Sequence, residues 1–139
     1  MSVISHFING EHITCSGHYA EVFNPATGQV SAQLALADSA TVQTAIDAAQ
    51  NAFPAWRATP PGKRAQTLFR FKQLLEQHQE EVADLISLEH GKTFEDAVGE
   101  IKRGIENIEY ASAATELLKG EHSRNVGPGI DGWSEFAPP

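Results

Sequence analysis

The stretch "GEIKRGIENIEYASA", residues 99 to 113, holds the side chain best suited to binding chemistry, Arg103. A guanidinium is planar, always charged and bidentate, so it can grip a small carboxylate with two parallel hydrogen bonds. The apolar residues around it, Ile101, Ile105 and Ile108, recur at helical spacing. At about 100° per residue, Arg103 falls well off that stripe and points away from the local core. Beside it stands Gly104. Gly in a helix interior costs about 1 kcal/mol against Ala, but it lets another backbone or a ligand approach closely. Glu100 and Glu106 lie three residues to either side. The competing reading of Arg103 is therefore a solvated surface ion pair with one of them.

No other set of residues completes a reaction centre. The single cysteine, Cys15, lies in the polar stretch "HITCSGHY". Alone it makes no internal disulfide, and it reads as a surface or strand Cys rather than a nucleophile. The six His are scattered, and no two share a helix face at ligand spacing, so no metal site is expected. Paired acids such as Glu80-Glu81 read as helix surface charge. Neither a glycine-rich dinucleotide fingerprint nor a phosphate-binding loop is present.

The bulk numbers narrow the field. At 139 residues the chain has the size of one ordinary domain. Its net charge of −8, from 18 acidic and 10 basic residues, argues against a nucleic-acid backbone binder. No signal-peptide pattern follows Met1, and no apolar run approaches the roughly 18 residues that a membrane span needs. The expected location is cytoplasmic, or an organelle matrix if an import segment has been removed.

The elements that must position Arg103 follow from local pattern. Asn9-Gly10 in "HFINGEHI" predicts a two-residue hairpin over 6–13. Residues 20–37 predict a second strand pair. It turns at Asn24 to Gly28, with Val30, Ala32, Leu34 and Leu36 alternating at period 2. Ser39 is expected to cap a helix that Pro54 ends after Phe53, with Val42, Ile46, Ala49 and Phe53 as its apolar stripe and Trp56 packed back on the core. A second helix is expected over 62–90. It is opened by Pro60-Pro61, carries Leu68, Phe71, Leu75, Val82, Leu85 and Ile86, and ends at Gly91. Thr93, with Asp96, is expected to start a third helix that runs to about Lys119 and closes at Gly120, with Phe94, Val98, Ile101, Ile105 and Ile108 buried. The tail "EHSRNVGPGIDGWSEFAPP" has no core of its own and reads as a strand or linker. The fold class is α/β: two β-strand pairs, then three α-helices, then an irregular or strand tail. Without strand–helix alternation, this chain alone cannot build a parallel nucleotide-binding sheet.

Four pieces in order resemble the N-terminal part of aldehyde dehydrogenases: "FINGEH", "VFNPATGQV", "AFPAWRATPPGKRAQTLFRFKQLLEQHQEEVADLI" and "EHGKTFEDAVGEIKRGIENIEYA". "RGIENIEYA" and "GEHSRNVGPGID" carry the finer resemblance, to CoA-acylating methylmalonate-semialdehyde dehydrogenases. Members of this kind run to roughly three or four times this length. The resemblance implies an aldehyde dehydrogenase-like fold with a Rossmann-like NAD domain, a catalytic domain and an oligomerisation hairpin. Residues 1–120 would be outer strands and helices of the NAD-binding domain, and residues 121–139 the incomplete run into the hairpin.

The resemblance also implies an activity. Methylmalonate or malonate semialdehyde would be oxidised with NAD and coenzyme A, with loss of CO2, to propionyl-CoA or acetyl-CoA. The family's nucleophilic Cys, general-base Glu, oxyanion Asn and NAD-binding glycines belong to later sequence. None maps onto this chain, and Cys15 does not match the catalytic motif. Arg103 stands where the family carries an Arg that holds the substrate carboxylate. Neither cofactor is expected to bind this chain tightly, and the complete enzyme is expected to be a homo-oligomer. The end departs from the family pattern: a strand leading to "PFNFP" is expected after "GWS", and "EFAPP" stops short of it. On this reading the chain is an inactive portion of the enzyme. The rivals are a non-catalytic self-associating segment and another aldehyde dehydrogenase.

Overall fold

The computed structural model describes residues 2–14 and 17–136; Cys15 and the "APP" of the tail lie outside the described residues. The expected hairpin forms from β2 (His6–Ile8) and β3 (Glu11–Ile13). Asn9 and Gly10 both adopt positive φ, 53° and 83°, as a two-residue turn of matching twist requires. The second pair, β4 (Tyr19–Phe23) and β5 (Val30–Ala35), is antiparallel. Its turn is held by Asn24 Oδ1, which accepts from the backbone N–H of Ala26 at 2.9 Å and of Thr27 at 3.2 Å.

One strand was not expected. β1 (Ser2–Ile4) joins β5 in parallel, giving a three-stranded sheet of order β1-β5-β4. Three residues are too few for periodicity, and the partner lies thirty positions on. The alternation read along β5 also does not translate into burial. Ala32 and Ala35, on opposite faces, are buried, whereas Leu34, on the face of Ala32, and Leu36, just beyond the strand, are exposed.

The first helix, α1, spans Ser39–Ala58, so Pro54 lies inside it rather than at its end. A Pro deletes one backbone bond, and the turns on either side carry the helix past it. The cap is Asp38, not Ser39. Its carboxylate accepts from the Thr41 N–H at 2.8 Å and from the Thr41 hydroxyl at 2.7 Å. The backbone bond from Thr41, then its hydroxyl, holds the Asp38 carboxyl below its ordinary pKa. Asp38→Ala is expected to lower the midpoint of urea unfolding, and Asp38→Asn to lower it much less. Equal losses for the two would mean that the cap bond is not what matters. Trp56 does not pack on a core; it is 48% exposed.

The expected helix over 62–90 is two: α2 (Pro61–Gln77) and α3 (Gln79–His90), separated at His78 (φ −109°, ψ 22°). A straight helix of that length would run about 43 Å, while α4 (Phe94–Ser112) spans only about 28 Å. The bend lets both segments pack against α4. Gly91 closes α3 at φ 80°, and the Thr93 hydroxyl caps α4 by accepting from the Asp96 N–H at 3.3 Å. α4 ends at Ser112 rather than near Lys119. The buried Ser112 hydroxyl donates back to the Ile108 carbonyl at 2.8 Å, an arrangement that bends helices, and α5 (Ala114–Leu117) restarts beyond Ala113.

The core lies where α2 and α3 cross α4. Ala83, Ala97, Ile101 and Ile105 are buried, with Leu75, Val82, Ile86 and Val98 packed around them. Three residues expected on the buried stripes, Phe71, Leu85 and Phe94, are exposed. The tail forms a hairpin, β6 (Glu121–Gly127) with β7 (Ile130–Ser134). Gly120 at its base is obligatory, since a Cβ there would fall 1.8 Å from the Ser134 carbonyl oxygen.

Candidate functional site

α4 places Arg103 opposite its own core contacts. Ile101 and Ile105 on either side are buried, whereas Arg103 itself is exposed. Among the described residues no carboxylate comes within 4.0 Å of its guanidinium, so the pairing with Glu100 or Glu106 does not form. Asn107 steadies the turn instead, donating from Nδ2 to the Arg103 carbonyl at 2.9 Å.

The space beside Arg103 comes from a different glycine than the sequence suggests. Nothing approaches Gly104, which faces open space. Gly99, one turn earlier, lies under the guanidinium: a Cβ there would sit 3.8 Å from Arg103 Nη1. An i−4 spacing is the readable signal for this; Gly104 is adjacent to Arg103 in sequence but not beneath its side chain.

Glu100 is taken by a cation from outside the helix. Lys92, in the link between α3 and α4, donates from Nζ to Glu100 Oε1. Lys92 is well covered, with 16% of its side chain exposed against 42% for Glu100. The hydrogen bond from Lys92 is the main reason that the Glu100 carboxyl is held below its ordinary pKa; the charges of Lys92, Arg103 and His90 add to it. Helical periodicity cannot find Lys92, because it precedes the helix and reaches eight residues forward.

Other chemistry is sparse. No group of three or more His, Cys, Asp or Glu that could hold a metal occurs among the described residues. No described helix is long and apolar enough to cross a membrane. Among the described residues the one parallel ladder, β1 with β5, is not followed by a glycine-rich turn into a helix; β5 reaches α1 through Leu36-Ala37-Asp38. These residues do not fit a dinucleotide cradle, and no step through NAD or coenzyme A is assigned to them.

The fold and its residues match a known class. The aldehyde dehydrogenase family model matches residues 12–135, and the chain belongs to that family. It is 63% identical over 138 residues to malonate-semialdehyde dehydrogenase of Pseudomonas aeruginosa, covering 99% of this chain and 28% of that protein. The structure of methylmalonate-semialdehyde dehydrogenase from Oceanimonas doudoroffii superposes with a TM-score of 0.93 at 62% identity, over 99% of this chain and 28% of that one. A Sinorhizobium meliloti protein described as a methylmalonate-semialdehyde dehydrogenase, complexed with NAD, gives 0.89 at 42% identity, over 97% and 28%. The chain thus spans little more than a quarter of the length of these relatives.

Proposed function

We propose that this chain is part of an NAD- and coenzyme A-dependent dehydrogenase of malonate or methylmalonate semialdehyde, and that Arg103 holds the substrate's carboxylate. The observation that carries the reading is an exposed guanidinium with no carboxylate partner among the described residues. A cation left open in this way on a rigid helix is poised for an anionic ligand. The 63% identity to a malonate-semialdehyde dehydrogenase supports the choice of anion.

In this reading residues 1–120 are the outer part of the NAD-binding domain and residues 121–139 lead into a hairpin through which the cytoplasmic enzyme assembles with copies of itself. When bound, NAD supplies the oxidant and coenzyme A the acyl acceptor; this chain's own part is to orient the aldehyde by its far end. Arg103 does so without competing for the reacting carbon, since its charge meets only the carboxylate.

The test is NAD reduction with malonate semialdehyde and coenzyme A. A complete enzyme carrying this segment is expected to turn over, and the isolated chain is expected to give no NADH. NADH from the chain alone, abolished by Cys15→Ser, would overturn the assignment of chemistry to other parts. A complete enzyme active only on aldehydes without a carboxylate would make it another aldehyde dehydrogenase.

A further inference from the structure

Helix geometry sets up a problem that the structure solves. Residues three apart on one helix are neighbours, and Glu placed N-terminal to a cation is the favourable order. Glu100 and Arg103 have that spacing and that order. Left to themselves they would pair, and the guanidinium would meet any incoming carboxylate already occupied. Glu106 follows Arg103 in the less favourable order and does not pair with it.

We infer that Lys92 is a positioning residue: by engaging Glu100 it keeps the Arg103 guanidinium open for a carboxylate ligand. The inference rests on the reading of Arg103 given above.

Three observations support it. The Lys92 ammonium bonds to Glu100, and its side chain is the more deeply covered of the two. Opposite charges attract more strongly where water is partly excluded. The link that delivers Lys92 is fixed at both ends. On one side Gly91 is left-handed and lies against the turn of Pro25, where a Cβ would come within 3.1 Å of Pro25 Cγ; on the other Thr93 caps α4. With Glu100 drawn toward Lys92, the Arg103 side chain folds over Gly99, where no side chain obstructs it. The Glu100 carboxyl also senses Arg103 after Lys92, so Arg103 is a cation that Glu100 would turn to if Lys92 were removed.

The experiment uses a complete enzyme carrying this segment and compares kcat/KM on malonate semialdehyde with that on propanal. Lys92→Met is expected to lower the ratio about two-fold, the equivalent of ~0.4 kcal/mol, with the loss falling in KM for the semialdehyde. Adding Glu100→Gln should restore the ratio, because the released competitor is gone. Lys92→Arg should retain it. If Lys92→Met does not fold, Lys92→Gln carries the same comparison. An unchanged ratio in the Lys92 variants, or a loss that Glu100→Gln does not rescue, overturns the inference. Arg103→Leu separates the two levels. If it lowers the ratio while Lys92→Met does not, only the role of Lys92 fails; if it leaves the ratio unchanged, the reading of Arg103 itself is lost.

Discussion

Arg103→Leu, introduced into a complete enzyme carrying this segment, is expected to cut kcat/KM for malonate or methylmalonate semialdehyde by about 10- to 200-fold. Propanal, which has no carboxylate, should be oxidised nearly as before. The size follows from one lost charge-assisted hydrogen bond, about 1.5–3 kcal/mol. Selectivity follows from location. The side chain is exposed, bonded to no carboxylate among the described residues, and on the opposite side of α4 from the buried Ile101 and Ile105. Removing it should therefore leave the packing of α2, α3 and α4 intact. Lys at this position should recover only part of the loss, since an ammonium does not reproduce the bidentate fork. Equal losses on both aldehydes would show that Arg103 supports the structure and does not read the carboxylate.

The features legible in the sequence were those that a few neighbouring residues decide. Asn9-Gly10, Asn24 to Gly28, Gly91 and Thr93 each act through their own backbone or a bond of three residues' reach, and each does in the structure what its type predicts. The family was legible for a related reason: its pieces are continuous runs of sequence, and the family match over residues 12–135, with 63% identity to a relative over 138 residues, bears them out. What escaped depends on contacts between distant segments. The break at His78 answers the shape of α4, and the parallel pairing of β1 answers a strand thirty residues away. At the site, Arg103 could be singled out from its helical phase. Its relation to Glu100 could not, because Lys92 enters from a different segment and changes which pair forms.

The same dependence on distant segments shapes the expected behaviour of the isolated chain, which should self-associate. α1 buries none of its residues: Val42, Ile46, Phe53 and Trp56 are each between 41% and 48% exposed. That stripe has the phase of a core-facing helix face, yet with β2 beside it the stripe stays half exposed. The sheet repeats the pattern at Leu34 and Leu36. Near Trp56, Arg64 adds a polar sign of the same incompleteness, with its Nε buried and unpartnered beside a cavity of about 240 Å³. Contiguous apolar surface of this kind seldom stays bare in a soluble monomer, and a standard interface needs roughly 800 Å² from each partner. Sedimentation should therefore give a mean mass above that of one chain, rising with concentration. Ile46→Glu should shift the chain strongly toward monomer. It should not unfold α1, because Ile46 is already half exposed there. A chain that stays strictly monomeric at high concentration and melts sharply would mean that these faces are stable in water and need no partner.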